Sequence, residues 1–198
     1  MLKDKMANPC STSEAARRMM VLNQLRPQGV TDGGVLGAMS AVAREDYLPA
    51  KFAAMAYADR PLRLDDGAPV MAPAELGQLL SQLAPRAGER ALVIGAGGGY
   101  SAAVLRHIGL SVDTAASADD SGNGPYDLIL IEGAVEQMPA SLARRLAPAG
   151  RIGAAIVEDQ VTRLAVGRGD GKSLGFTTFA EAQVPLLASF ARAPAFKF

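Results

Sequence analysis

Apolar residues recur at helical spacing through the first third of the chain. Met19, Leu22 and Leu25, with Val21 alongside, predict one face of a helix that runs from a Ser11/Glu14 capping box to about Leu25, where Pro27 and Gly29 end it. Thr31 or Asp32 then caps a second helix carrying Val35, Leu36, Met39 and Val42 on one side, closed by the polar turn 44–49 with Tyr47 as an aromatic anchor. Residues 57–67 show no periodicity and carry Pro61, Gly67 and several charges, the pattern of a loop. Pro73 suits the first turn of a third helix, whose buried stripe is Leu76, Leu79, Leu80 and Leu83, before Pro85 and Gly88 stop it.

The period then changes. Ala91-Leu92-Val93-Ile94 is a short apolar run ended by a glycine cluster, and an alanine- and leucine-rich segment follows, which predicts a buried parallel strand, a tight turn and a helix. Residues 110–116 read as a second strand and residues 119–125 as turn chemistry. A strong buried strand spans 127–132, a helix 139–146 and another strand 150–157. The remainder is β-rich, with strands expected at 161–166, 176–180 and 184–190. Alternating strands and helices ending in a hairpin predict an α/β fold: a mostly parallel sheet with a C-terminal antiparallel hairpin, preceded by N-terminal helices. The expected organisation is a helical segment with a substrate-side loop over residues 1–72, packed on a main domain over 73–198.

Composition narrows the function classes. Twenty basic and twenty acidic residues cancel and form no basic block, so neither a nucleic-acid nor a membrane partner is indicated. Cys10 is the single cysteine, which excludes an intrachain disulfide and a cysteine metal cluster, and no metal site is expected. Residues 1–9 lack the apolar core of a secretory signal and no apolar stretch reaches membrane-spanning length, so a cytoplasmic location is expected.

Chemistry concentrates at the glycine cluster. Gly95, Gly97 and Gly99 let the backbone turn sharply and approach a ligand, with Ala96 between the first two. The helix that starts there points free N–H groups at whatever lies over the turn. A dinucleotide turn needs Gly-x-Gly-x-x-Gly, but the third position is Tyr100, so the spacing suits a nucleoside-type ligand better; the absence of Gly-Lys-Ser/Thr excludes a Walker loop. Glu132 closes a strand at the end where open α/β sheets bind ligands. Asp59 and Arg60 either line a cleft near the turn or are solvated, and the sequence leaves both open. His107, the single histidine, reads as a surface or packing residue, and Met19, Met20 and Met39 as core filler.

Several stretches in order resemble the protein-L-isoaspartate O-methyltransferases. These are Met20–Leu25 with Gly29-Val30, Val35–Met39, Arg44–Pro49, Ala56–Leu62, Val93–Tyr100, Tyr126–Ile129 and Pro148–Arg151. The resemblance implies a Rossmann-like fold, S-adenosyl-L-methionine as cofactor, and carboxyl methylation of damaged aspartyl residues in isoaspartyl-containing proteins or peptides. It implies Gly95, Ala96, Gly97, Gly99, Tyr100 and Glu132 on the cofactor side and Asp59, Arg60 and Met71 on the substrate side.

Three positions depart from the family's pattern. Val93 stands where the family usually has glutamate, and Met71 where it has a hydroxyl residue. Only the 16 residues 110–125 separate Gly109 from Tyr126, whereas a strand–helix–strand crossover needs roughly 30. The sheet is therefore expected to be narrower than the family's, with its second strand as an edge. The family's ribose-holding acid belongs to the shortened region, and Asp113, Asp119 and Asp120 are the nearest carboxylates. A catalytically inactive relative that keeps the fold for binding stays open beside the enzyme.

Overall fold

A computed structural model of the chain describes residues 9–95, 99–120, 122 and 124–192, with the side chains of 9–11 left aside. Helices α1 (Pro9–Met20), α2 (Gly33–Ala41), α3 (Pro73–Leu83) and α4 (Gly99–Ile108) precede or interleave with the strands. A ribbon of two-residue strands pairs antiparallel, β1 (Leu62–Arg63) inside the 57–67 stretch read as loop and β2 (Pro69–Val70) just after it. The main sheet comprises β3 (Arg90–Ile94), β4 (Ser111–Ala115), β5 (Tyr126–Val135), β6 (Leu146–Glu158), β7 (Val161–Gly169) and β8 (Leu174–Glu181), in the order β4-β3-β5-β6-β7-β8. Strands β4 to β6 run parallel, and β6, β7 and β8 form an antiparallel meander. The expected fold class is the observed one.

The edge expectation is also met. Strand β4 pairs with β3 and leaves Ser111, Asp113 and Thr114 exposed. Its charges blunt the edge against pairing with another chain: Asp113 accepts hydrogen bonds from Arg90 Nη2 at 2.8 Å and from the Tyr126 hydroxyl at 2.9 Å.

Side chains alternate across the sheet. Ala91, Val93, Leu128 and Leu130 point to one face, where they meet the leucine stripe of α3 and residues of α2 and α4. Leu76, Leu79, Leu80 and Leu83 are fully buried there, each worth roughly 1.5–3 kcal/mol. Leu92, Ile94, Ile129 and Ile131 point to the opposite face. That face is covered by Leu142 of a 3₁₀ segment (Ala140–Arg145) and by Phe190.

Several local expectations are corrected. Helix α1 begins at Pro9, so Ser11 lies inside it and is not its cap. The helix continues as a π-turn, Val21–Leu25, with Arg26 N–H bonding Val21 O five residues back. This wider turn shifts the buried face: Met20, Val21 and Leu25 are buried, while Met19 and Leu22 are 52% and 50% exposed. In the 44–49 turn the buried residue is Arg44, at 2% exposure, and Tyr47 is 42% exposed. The expected helix at 139–146 is only the 3₁₀ segment. Residues 184–190 form no strand but a strap along the end of β5, where Ala134 N–H bonds Pro185 O and Leu187 N–H bonds Ala134 O. Pro185 has no N–H to give a ladder.

Candidate functional site

The site lies at the C-terminal ends of β3 and β5, where a parallel sheet opens towards ligands. Gly95 follows the last paired residue of β3 with a φ of +138° and donates its N–H to Ala115 O at 2.9 Å. That conformation, and the backbone of Glu132 alongside, require glycine. Ala96 and Gly97 lie outside the described residues. Helix α4 starts at Gly99, immediately after the turn.

Four polar side chains converge beneath it. The guanidinium carbon of Arg44 stands 4.9 Å from the centroid of the Tyr100 ring, and its Nη2 donates to Met71 O at 2.6 Å. Glu132, on β5 beside Gly95, is hydrogen-bonded to Ser101 of α4. Arg44, Tyr100 and Glu132 are each exposed by 2% and Ser101 not at all. Arg44 Nε, the Tyr100 hydroxyl and Glu132 Oε2 have no hydrogen-bond partner among the described residues. A buried polar atom without a partner costs about 1–3 kcal/mol, and Arg44 and Tyr100, in contact at 4.9 Å, each carry one, as does Glu132.

Electrostatics follow from burial. Burial pushes the Glu132 carboxyl above the usual range, while the Ser101 hydrogen bond and the Arg44 charge pull it back. Burial raises Tyr100 strongly, opposed by Arg44, so the phenol stays neutral. Burial lowers Arg44, opposed by Tyr100, Glu132 and Tyr57, and a guanidinium remains a cation regardless.

The substrate-side candidates separate. Asp59 and Arg60 border a cavity of about 620 Å³ that Gln28, Glu75, Gln160 and Glu181 also line. Asp59 is anchored there, accepting from Ala74 N–H at 3.2 Å and Gln28 Nε2 at 2.6 Å. Met71 is 1% exposed and packs in the core, contributing its carbonyl to Arg44 and no side-chain atom to the cavity. His107 is exposed. No group of three or more His, Cys, Asp or Glu among the described residues could hold a metal ion.

Comparison with known proteins settles the kinship of this arrangement. The family model for protein-L-isoaspartate(D-aspartate) O-methyltransferase matches residues 16–121, which run from α1 to six residues past the end of β4. A protein-L-isoaspartate O-methyltransferase of Methylorubrum populi is 37% identical over 167 residues, covering 71% of this chain and 79% of its own. The chain belongs to the protein-L-isoaspartate O-methyltransferase family. A second such protein, from Anaeromyxobacter, is 35% identical over 72% of this chain and 70% of its own. A structure of a putative member from Plasmodium falciparum, in complex with S-adenosyl-L-homocysteine, superimposes with a TM-score of 0.71. At 17% identity, over 89% of this chain and 98% of that one, it shares the fold.

Within this isoaspartate methyltransferase-like frame, the departures acquire positions. Val93 faces the same side of the sheet as Leu130, and Glu132 lies two residues further along β5 on that side. Strand β4 ends in Ala115, and two of the neighbouring carboxylates are engaged, Asp113 by Arg90 and Tyr126 and Asp120 by the Ser117 hydroxyl, while Asp119 is exposed. Sequence reading found the turn, Tyr100 and Glu132 but passed over Arg44 and Ser101. Arg44 sits in a run of polar residues that reads as a solvated turn, and only tertiary packing reveals that it points inward.

Proposed function

We propose that this protein is an S-adenosyl-L-methionine-dependent carboxyl methyltransferase that acts on isoaspartyl residues of damaged proteins. The observation that carries this reading is Gly95, at a positive φ, against the buried Glu132 in a chain of this family. The residues suit the zwitterionic amino-acid end of the cofactor: a helix N-terminus for its carboxylate and an acid with one unpartnered oxygen for its ammonium group. Asp119, exposed beyond the end of β4, is the carboxylate left for the ribose once Asp113 and Asp120 are engaged.

When bound, the cofactor supplies an activated methyl group. The acceptor carboxylate is already nucleophilic once ionised, so the chain needs no strong general base; its work is to align acceptor oxygen, methyl carbon and sulfur. We assign Gly95, Ala96, Gly97, Gly99, Tyr100 and Glu132 to the cofactor side. We assign Arg60, the cation among the cavity's acidic lining residues Asp59, Glu75 and Glu181, to the substrate side, with Asp59 fixing its loop to α3. Residues 1–72 then serve chiefly the substrate and 73–198 the cofactor. No helix among the described residues is long and apolar enough to cross a membrane, and we place the protein in the cytoplasm with isoaspartyl proteins as its partners.

The test is transfer of a labelled methyl group to an isoaspartyl peptide and to its aspartyl twin. Transfer to the first alone is the expected result. Transfer to neither, with no calorimetric heat on titration of S-adenosylhomocysteine into the folded protein, sinks the reading and leaves a non-catalytic relative.

A further inference from the structure

Tyr47 reads in the sequence as an aromatic anchor, yet its ring is 42% exposed. It ends the 3₁₀ turn Arg44–Tyr47 that follows α2, and the element it leans on is α4. A Cβ on Gly99, the first residue of α4, would lie 3.3 Å from Tyr47 Cδ1, so the missing side chain is what lets the ring come this close. The Tyr47 and Tyr100 ring centroids stand 6.1 Å apart at 58°, a tilted aromatic pair. Tyr100 is itself buried and carries the Arg44 guanidinium carbon 4.9 Å from its centroid. The Tyr47 ring is therefore braced on one side by a fixed neighbour and open to solvent on the rest, at the point where the glycine turn becomes a helix.

We propose that Tyr47 is a substrate-binding residue: its exposed ring packs against the isoaspartyl peptide as the peptide reaches the start of α4. The inference rests on the function proposed above and adds to it a residue that holds the acceptor. A ring left this exposed forgoes part of the stabilisation that full burial would give it. What it offers instead is a large contact area at low entropic cost, because a tyrosine has only two side-chain torsions to fix. The contacts with Gly99 and Tyr100 already restrict those torsions in the free protein. Two features assign the ring to the peptide and not to the cofactor. The cofactor side is built from buried groups, Glu132 and Tyr100, whereas a half-exposed ring meets what arrives from solvent. Tyr47 also belongs to the segment 1–72 that serves the substrate. The other large exposed apolar residues, Met19, Leu22 and Phe179, lie on α1, on its π-turn and on β8.

The experiment compares the full chain with Tyr47→Ala, Tyr47→Phe and Tyr47→Trp, changes that a half-exposed position accepts without loss of the fold. In labelled methyl transfer, Tyr47→Ala raises KM for a short isoaspartyl peptide about tenfold, the loss that a tyrosine hot spot gives, and holds kcat within about twofold. Tyr47→Phe keeps the ring and recovers most of that loss. Calorimetric titration of S-adenosylhomocysteine gives the same affinity for Tyr47→Ala as for the wild type, which separates the peptide from the cofactor. The chain contains no tryptophan, so Tyr47→Trp places a single indole at the proposed contact and reads binding without turnover. Its emission shifts when the isoaspartyl peptide is added in the presence of S-adenosylhomocysteine. A wild-type KM in Tyr47→Ala, a fall in S-adenosylhomocysteine affinity with KM unmoved, or an indole that does not respond to the peptide overturns the inference while methyl transfer by the wild type still stands. A wild type that methylates no isoaspartyl peptide overturns the function proposed above, and the indole then decides the inference alone: a shift with the peptide upholds it and silence sinks it.

Discussion

A Cβ on Gly95 would lie 3.0 Å from the carbonyl oxygen of Glu132 and 3.2 Å from its Cβ. The turn and the buried acid are therefore in backbone contact, and neither can move alone. Gly95→Ala combines a backbone clash with a φ of +138° that alanine rarely adopts. The expected loss is about 2 kcal/mol or more, read as a lower urea midpoint. An unchanged midpoint would mean that the two strands are not this close.

Arg151 ties three segments at the other end of the sheet. It donates to both oxygens of Glu89 at 2.9 and 2.8 Å, to Asp127 O and Ala84 O at 3.1 and 2.7 Å, and to Leu83 O. Arg151→Met leaves the half-buried Glu89 with only the Arg86 N–H and is expected to cost about 2 kcal/mol. Asp113→Asn breaks an exposed pair with Arg90 and should cost under about 1 kcal/mol. Equal losses in chemical denaturation would contradict the burial difference between the two pairs.

The same clasp makes stability pH-dependent. Burial opposes ionisation of Glu89, but the hydrogen bonds from Arg151 and from Arg86 N–H overcome it and hold the carboxyl below its usual range. The folded state thus binds its proton more weakly than the unfolded chain. Its contribution is complete above about pH 4.5, the ordinary glutamate value, and is lost as pH falls through the lower folded value. Unfolding midpoints measured through the acid range should drop more steeply in the wild type than in Glu89→Gln.

Tyr57 carries the opposite sign. Burial, and then its hydrogen bond to Glu45, push the phenol up to about 12. Stability from the neutral phenol is full below about pH 10 and is lost as pH climbs through about 12. Tyr57→Phe deprives Glu45 of its donor and Arg44 N–H of its acceptor, at an expected cost of about 2 kcal/mol. An ultraviolet titration should lose one late tyrosinate phase in this variant; retention of every phase would reassign it.

The strap hangs on a glycine. A Cβ on Gly133 would stand 2.6 Å from Leu187 Cβ, so Gly133→Ala forces residues 184–190 away from β5. Amide exchange at Ala134 and Leu187, whose N–H groups make the strap's hydrogen bonds, should quicken by about tenfold or more. Protection equal to the wild type would place the strap's anchorage elsewhere.

Local pattern carried the elements whose signals are local. The α3 leucine stripe after Pro73, the Asp32 cap that accepts Val35 N–H at 2.9 Å, the apolar run of β3 and the long strand β5 each announce themselves within a dozen residues. The short span after Gly109 foretold an edge at β4, because chain length limits what can be built between two strands. The π-turn that buries Met20 and Leu25 while exposing Met19 and Leu22 escaped the pattern, since one extra residue in a turn rotates everything on that face.

By itself, the sequence determined the sheet, the glycine turn and the family, all written in short-range periodicity and ordered motifs. Tertiary structure alone decided that Arg44, from a polar turn, is buried over the Tyr100 ring, that Glu132 is buried on β5, and that Met71 faces the core. The two charges stand 88 residues apart in the chain. Burial of a charge depends on what packs over it, and a run of polar residues reads the same whether it meets water or protein.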